Sequence, residues 1–310
     1  MASAHQTAAT SASRPLYALI LRLLAALAIS VNFACVKWAS DRGAHLVEIL
    51  FYRQLLSLPL AILALMFGSG LAGLRTQKLG MHASRTLVGM TGMLCNFMAV
   101  ILLPLAEVTT IGFTVPIFAT VLSVFLLGER PGLHRWAAVL AGFIGVVIII
   151  NPGASHGDMS TLGVGIAITG ALVTSCVSLL LRQIGRTEAP TTTVFYFAAL
   201  SLPPLAIAMV FFGQAHDAGT WAILMLMGVA GGLAQLLMTS SLRWGPVSLV
   251  LPMDYSTLLW STLFGWLLWS SWPGSSTWAG AVIIAASSVY IAWRERVRHV
   301  STVKTGISAN

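Results

Sequence analysis

The feature that most constrains this chain is a series of long apolar runs separated by short polar turns. A transmembrane helix needs about 20 apolar residues. Ten runs of roughly this length lie at about 16–39, 45–67, 84–103, 106–127, 134–151, 161–181, 192–212, 220–241, 247–271 and 276–293. Runs such as AVLAGFIGVVIII (138–150) lack the alternation of a barrel strand. The sequence therefore predicts an all-α polytopic membrane protein with ten transmembrane helices.

Charge supports this prediction and identifies the lipid bilayer as the main surroundings of the chain. Only 8% of the residues are charged, whereas soluble domains carry about 25%. So few charges exclude a soluble enzyme and a disordered chain. The formal net charge of +8 is a topology signal. Thirteen basic residues, Arg85 among them, lie in the tails and even-numbered loops, and only Arg42 lies in an odd-numbered loop. We therefore expect both termini in the cytoplasm and no nucleic-acid partner.

The two halves of the chain resemble each other at offsets of about 140 residues. Three pairs of segments match in the same order: FYRQLLSLPL (51–60) with FYFAALSLPP (195–204), GMTGMLCNF (89–97) with GVAGGLAQL (228–236), and PGLHRWAA (131–138) with PGSSTWAG (273–280). Each copy holds five spans, an odd number, so the second copy enters the membrane from the opposite side. This pattern predicts two inverted five-helix repeats, an arrangement of many secondary transporters.

The predicted organisation therefore has four parts. A polar cytoplasmic tail occupies residues 1–15, the first repeat 16–151, the second repeat 161–293 and a basic cytoplasmic tail 294–310.

The stretch PLAEVTTIGFTVPIFATVLSVFLLGERPGLHRWAAVLAGFIGVVIIINPG (104–153) resembles the EamA-type family of the drug/metabolite transporter superfamily. The second copy keeps Pro252 but has Ser270 and Ser271 where members often carry a glutamate. The Pro-Met-Asp-Tyr run resembles a subgroup that includes riboflavin, S-adenosylmethionine and opine-type metallophore transporters. The resemblance implies a bacterial inner-membrane location and alternating-access transport of a small organic molecule: amino-acid-like, vitamin, nucleoside-like or metallophore.

We expect a secondary active exporter, coupled to a proton or driven by the substrate gradient. Import of a vitamin or cofactor such as riboflavin or S-adenosylmethionine is the alternative, followed by a channel or a structural subunit. A homodimer is compatible with the sequence. The sequence shows no clustered acid, base or metal ligands and no phosphate-binding GxxxxGK[ST] loop. These absences favour a protein that is not an enzyme and that binds neither cofactor nor metal.

Charged residues inside apolar spans are costly and are usually functional. Arg53 lies eight residues into the second span, and its planar fork suits a carboxylate or phosphate. The alternatives are a substrate contact and a structural ion pair with Glu48. Lys37 is a candidate for substrate binding or gating, or for snorkelling to the interface. Glu48 is either solvated at the interface or, if buried, a site of proton coupling. Arg22 is expected to snorkel.

The second half supplies Asp254, which follows Pro252 by two residues and precedes Tyr255. A proline in the middle of a span frees a backbone carbonyl and kinks the helix. Asp254 could therefore take a proton or a cationic group, or it could satisfy freed amides or Tyr255. Pro116 and Pro252 are the predicted hinges.

Repeat-matched polar residues complete the candidates. Asn96 matches Gln235, and these amides either join helices or bind substrate. Tyr52 matches Tyr196, and both are predicted to line a cavity. Glu129 is a candidate for the inner gate.

Overall fold

The computed structural model describes residues 15–67, 70, 74–127, 133–150, 160–185, 187–244 and 250–307. The α-helices are α1 (Pro15–Asp41), α2 (Leu46–Phe67), α3 (Leu79–Leu102), α4 (Leu105–Gly112), α5 (Val115–Leu127), α6 (Leu133–Ile150), α7 (Thr161–Ile184), α8 (Pro190–Phe212), α9 (Ala218–Trp244), α10 (Ser256–Trp269) and α11 (Ser275–Ile307). A 3-10 helix, Leu251–Tyr255, precedes α10. The described residues contain no strand, so the all-α prediction is confirmed for them.

Seven segments of the described chain are long and apolar enough to cross a membrane. They correspond to α1, α2, α3, α4 joined to α5, α7, α8 and α9. Shorter apolar stretches lie in α6 and in the first part of α11. The helix α11 continues to Ile307, so most of the predicted C-terminal tail extends the last helix.

Local sequence explains where several helices begin. Ser160 caps α7, because its hydroxyl accepts a hydrogen bond from the backbone N–H of Gly163 at 3.1 Å. Asp217 does the same for α9, accepting from the N–H of Gly219 at 3.0 Å. The hydroxyl of Thr220 also donates to Asp217, and this hydrogen bond lowers the pKa of the carboxyl. Pro190 opens α8 at a position where its missing N–H costs nothing.

The two predicted hinge prolines lie at breaks of different kinds. Pro116 is the second residue of α5, directly after the turn at Phe113 and Thr114 that separates α4 from α5. Pro252 lies in the first turn of the 3-10 helix. Val250 before it is also helical, and residues 245–249 lie outside the described part of the chain, so the role of Pro252 as a mid-span hinge stays a prediction.

Helices from the two halves pack closely against each other. α1 packs on α9, α3 on α7, and α2 on both α8 and α9. Glycines permit these approaches: a Cβ atom on Gly228 would lie 2.5 Å from a methyl carbon of Leu56, and one on Gly280 would lie 2.6 Å from the carbonyl oxygen of Gly145. Small residues at such contacts let helix backbones approach in membranes, where packing replaces the hydrophobic effect.

Large apolar side chains cover much of the outer surface. Leu87, Phe125 and Val210 are 72%, 76% and 81% exposed. A soluble monomer rarely exposes extensive apolar patches, whereas a membrane protein presents such a surface to lipid. The polar residues that matter for function therefore lie inside the bundle.

Candidate functional site

The site is a cavity of about 230 Å³ lined by helices from both halves. α1, α2 and α3 line it from the first half, and α7, α8 and α9 from the second. Its polar side chains include two arginines, three amides and a threonine: Arg53, Arg85, Asn32, Asn96, Gln235 and Thr174. No acidic residue belongs to this lining within the described chain.

Arg53 lines this cavity, as a substrate contact would, and makes no ion pair within the described residues. Its Nη1 donates a hydrogen bond to Oε1 of Gln54 at 2.6 Å, while its buried Nε has no partner in that part of the chain. The alternative of a structural ion pair with Glu48 is therefore wrong.

Arg85 is the second cavity arginine, and its assignment to a cytoplasmic loop was wrong. It lies seven residues into α3 and is only 6% exposed. Its guanidinium carbon lies 3.7 Å from the ring centroid of Phe197, a cation–π contact. Its Nε and Nη1 have no hydrogen-bond partner among the described residues. The available sequence signal was its closeness to the first apolar residues of the third span.

A short network connects the two arginines through α2 and α8. The Gln54 side chain accepts from Arg53 and donates to the hydroxyl of Ser201 at 2.6 Å and to the carbonyl of Phe197 at 3.5 Å. The ring of Phe197 lies under Arg85. Gln54 is fully buried and links the Arg53 side chain to the backbone of Phe197, the residue whose ring contacts Arg85.

The repeat-matched amides Asn96 and Gln235 both line the cavity. Asn96 Nδ2 donates to the hydroxyl of Thr174 at 3.1 Å, which joins α3 to α7. Asn32 Nδ2 donates to the carbonyl of Met227 at 2.8 Å and joins α1 to α9 in the same way. Each of these two asparagines joins two helices through Nδ2, and its side-chain carbonyl oxygen can accept a hydrogen bond from a ligand.

Tyr52 and Tyr196 do not line the cavity in this structure, so their predicted position is wrong. Tyr52 packs edge to face on Trp221, with 5.1 Å between the ring centroids. The Tyr196 hydroxyl donates to the carbonyl of Leu74 at 2.6 Å, and its ring stacks on His82. Tyr52 therefore packs α2 against α9, and Tyr196 holds the loop that contains Leu74.

Asp254 is paired with Arg22, which sequence reasoning had expected to snorkel. Arg22 is 2% exposed, and its Nε and Nη2 each lie 2.5 Å from one carboxylate oxygen of Asp254. Its Nη1 also donates to the carbonyl of Met238, a cavity-lining residue, at 3.4 Å. The neighbouring Tyr255 packs edge to face on Phe113. The bidentate ion pair thus lies next to the cavity.

Glu48 is fully buried, which contradicts the expectation that it is solvated at the interface. One oxygen accepts from the backbone N–H of His45 at 2.7 Å, as in the reciprocal half of a capping box. The other accepts from the N–H of Gln214 at 2.9 Å and lies 3.0 Å from Nε2 of His216. Glu48 therefore anchors the loop that precedes α9.

Lys37 caps the end of α3 instead of extending to the interface. Its Nζ donates to the carbonyls of Val100, Ile101 and Leu103 at 3.3, 3.1 and 3.0 Å. These are carbonyls that a helix end leaves without intrahelical partners. Lys37 also lines a second cavity of about 240 Å³, together with Trp269.

Glu107 is an intramembrane carboxyl that sequence reasoning missed. It lies in the first turn of α4 and is 7% exposed. Oε1 accepts from the hydroxyl of Thr277 at 3.2 Å, while Oε2 has no partner in the described residues. It is the second residue of the predicted span 106–127, close to the end of that span.

The remaining predictions concern Glu129 and metals. Glu129, the gate candidate, lies outside the described residues. In the described part of the chain, no group of three or more histidine, cysteine or acidic residues is placed to hold a metal ion.

The family model of the EamA-like transporter family matches residues 16–151 and 161–293. The chain belongs to this family. The resemblance recognised in the sequence is therefore confirmed, and the description of the family points to transport.

Similar proteins carry different substrates in their names. A riboflavin transporter of Vibrio cholerae is 30% identical over 70% of this chain and 73% of its own length. A pseudopaline exporter of Pseudomonas aeruginosa is 28% identical over 87% of this chain and 94% of its own. An S-adenosylmethionine uptake transporter of Rickettsia bellii is 25% identical over 88% and 92%.

A solved crystal structure of 20% identity matches the fold with a TM-score of 0.60. The match covers 88% of this chain and 96% of that one. The family is thus a metabolite transporter family with both uptake and export members.

Proposed function

We propose that the protein is a secondary active transporter that exports a small organic metabolite across the bacterial inner membrane by alternating access. The observation that carries this proposal is the cavity between helices of both halves, with two arginines and three amides in its lining. A site between two inverted repeats is where transporters of this type bind substrate. Both arginines of this lining have buried N–H groups without a partner in the described residues, and burying charge in a membrane bundle is expensive unless a ligand uses it.

The pairing of helices supports an inverted repeat. If the first five spans map onto the second five, a contact between spans one and eight is equivalent to a contact between spans six and three. The structure has both contacts, as α1 with α9 and α3 with α7. A bundle with two equivalent arrangements of its halves can open in turn to either side, which is the requirement of alternating access.

The Arg22–Asp254 pair supports a gate at the end of the bundle that we propose to be cytoplasmic. The pair joins α1 to the 3-10 helix, and Arg22 also reaches the backbone of Met238 at the cavity wall. At the other end, Nε1 of Trp269 donates to Asp41 at 2.7 Å. Breaking one set of contacts while keeping the other would open the cavity to one side.

Glu107 is our candidate for proton coupling. A buried carboxylate normally has partners for both oxygens, whereas a protonated carboxyl tolerates one unpaired atom. Glu107 has one such oxygen, and Glu48 has none, because three groups hold its carboxylate. We therefore assign proton exchange to Glu107 and an anchoring role to Glu48.

Import is the second candidate, and the names of the riboflavin and S-adenosylmethionine relatives favour it. The pseudopaline relative favours export. An importer and an exporter would bind their substrate in the same cavity, so the direction of transport has to be measured.

The cavity is tested with Ala234→Trp, which fills it, and Leu233→Trp as the matched control on the outer face of the same helix. Metabolites are profiled inside and outside cells that lack the protein or produce the wild type or either variant. We expect export by the wild type and the control, and none by Ala234→Trp, at equal membrane levels. Identical profiles for all strains would contradict transport through this cavity.

The coupling assignment is tested with Glu107→Gln in inside-out vesicles, with Glu188→Gln as an acidic control outside the spans. The wild type and the control should transport faster when a proton gradient is imposed. Glu107→Gln should transport at one rate with or without the gradient. A gradient response that survives Glu107→Gln would contradict the assignment.

Topology is tested separately with a reporter fused after Asn310. We expect cytoplasmic activity of the reporter, and a periplasmic signal would contradict the predicted topology of ten spans with both termini in the cytoplasm.

A further inference from the structure

We propose that the cavity binds a small organic anion, whose carboxylate or phosphate oxygens are held by Arg53 and Arg85 together. This inference rests on the proposed function, because it names the class of substrate for the same cavity. It follows from four observations: the charge of the lining, its unpaired donors, the rigid support of both arginines and the size of the cavity.

The charge of the lining is positive and lacks a counter-charge within the described residues. Arg53 and Arg85 line one cavity that no described acidic side chain faces. A guanidinium stays protonated in proteins, so neither residue escapes its charge by losing a proton. Buried charges are paired in folded proteins because an unpaired one is costly. A bound anion supplies the missing partner.

Three buried N–H groups of these cavity-lining arginines lack a partner in the described chain. They are Nε of Arg53 and both Nε and Nη1 of Arg85. Groups of this kind are rare in folded proteins and call for a ligand or an ordered water. Oxygen atoms of a carboxylate or phosphate match the planar fork of a guanidinium through two parallel hydrogen bonds.

The structure holds both arginines in place before a ligand arrives. Arg85 stacks on Phe197, and a Cβ atom on Gly89 would lie 3.0 Å from the ring of Phe197. Arg53 is held by Gln54, and a Cβ atom on Gly231 would lie 3.3 Å from Cγ and Nε of Arg53. Two repeat-matched segments, 89–97 and 228–236, thus supply the glycines that make room for the two cationic groups. Fixed donors lower the entropy cost of binding.

The cavity also limits the size and shape of the ligand. Its volume of about 230 Å³ is below the 300–1,000 Å³ typical of sites for drug-sized molecules. Phe33, Phe97 and Met93 form apolar wall, and the amides Asn96 and Gln235 add hydrogen-bonding groups. A compact metabolite with an anionic end and a short uncharged remainder fits this lining. A cationic metabolite would add charge of the same sign.

The test is ligand-induced stabilisation of the purified full-length protein. The probes are succinate, with two carboxylates, glycerol 3-phosphate, with one phosphate, choline as a cation and glycerol as a neutral molecule. We expect at least one anion at millimolar concentration to raise the Tm of the wild type, while choline and glycerol leave it unchanged. Succinate and glycerol 3-phosphate distinguish carboxylate from phosphate recognition.

The variants are Arg53→Gln and Arg85→Gln, and the control is Arg42→Gln, an arginine at the end of the bundle and outside the cavity. Loss of one charged hydrogen-bonding group should weaken anion binding roughly 10- to 100-fold. The control should bind as the wild type does. Arg85→Lys should not restore binding, because an ammonium lacks the planar fork and the stacking face.

Three outcomes would contradict anion binding without contradicting transport. Stabilisation by choline instead of an anion, unchanged anion affinity in the double variant Arg53→Gln/Arg85→Gln, or no response to either anion would each reject it. Transport is judged separately by the Ala234→Trp and Leu233→Trp comparison. If that comparison shows transport of a cationic metabolite, the anion inference fails and the proposed transport function stands.

Discussion

Two regions of the bundle bury arginine in opposite ways. At Arg22, both carboxylate oxygens of Asp254 lie 2.5 Å from guanidinium nitrogens, and the charge is balanced within the protein. At the central cavity, Arg53 and Arg85 keep buried N–H groups without a partner in the described residues. The first region resembles a closed structural contact, and the second resembles a site prepared for a ligand. The difference shows that the role of a charged residue inside the membrane is indicated by its partners and not by its depth in the bilayer.

The largest expected effect comes from breaking the paired region. Asp254→Ala leaves the guanidinium of Arg22 buried and unpaired, and we expect a loss of about 3 kcal/mol in the free energy of unfolding. Removal of one partner from a buried pair costs roughly 3–5 kcal/mol. The lower figure applies because the Asp254 side chain is 37% exposed. Thermal unfolding of the purified protein, together with its level in membranes, measures the loss.

The double variant Arg22→Met/Asp254→Leu is the matched control for that prediction. Well-packed apolar residues often replace a buried ion pair at little cost. We expect the double variant to recover most of the stability that Asp254→Ala loses. Equal instability of the two variants would mean that the region needs the charges themselves, for example to fix the register of α1 against the 3-10 helix.

The second prediction concerns the cavity arginine Arg85. Its removal should not lower the stability of the protein, in contrast to the loss of Asp254. Arg85→Met removes a charge that lacks a protein counter-ion, and the methionine keeps an apolar contact with Phe197. We expect an unchanged or higher Tm and at least a tenfold loss of transport. Arg22→Met, in the paired region, should lower the Tm. If Arg85→Met also lowers it, the cavity arginine is structural and the comparison fails.

Sequence reasoning reached the fold and part of the site, and its errors have a common cause. The apolar runs predict the helices because about 20 consecutive apolar residues have few other uses. The same reasoning identifies Arg53, Asn96 and Gln235, which lie well inside their spans and do line the cavity. It fails near span ends, where one helical turn separates a solvated residue from a buried one. Arg85, Glu107 and Arg22 are all of this kind.

Partners are the part of the site that one sequence cannot supply. The pair of Arg22 with Asp254 joins residues 232 positions apart, and Glu48 contacts residues 166 and 168 positions away. Neither spacing reflects a local periodicity. The tyrosines Tyr52 and Tyr196 illustrate the same limit, because repeat matching places them at equivalent positions without showing which helix face points inward. These assignments depend on tertiary packing.

The third prediction tests whether the position of the cavity arginine Arg53 matters, by a substitution at the neighbouring Gly231. Gly231→Ala puts a methyl group 2.9 Å from Nδ2 of Asn32 and 3.3 Å from Cγ of Arg53. Overpacking of this kind costs about 1–3 kcal/mol. We expect a modest fall in Tm and a larger fall in transport, because Arg53 has to move. Gly165→Ala is the matched control, since a Cβ atom there meets nothing within 4 Å. Equal transport by the two variants would show that the position of Arg53 is unimportant.

The smallest expected effect is at the exposed pair of Arg42 with Asp217, whose closest atoms are 3.4 Å apart. Both side chains are largely exposed, at 42% and 65%, so water and salt screen their attraction. Arg42→Gln should therefore leave the Tm and the transport rate unchanged within error at physiological salt. A clear loss of transport with unchanged Tm would instead make this pair part of the gate at that end. The pair of Arg42 with Asp217 would then have a gating role like the one proposed for Arg22 with Asp254, and both paired arginines would differ in function from the cavity arginines.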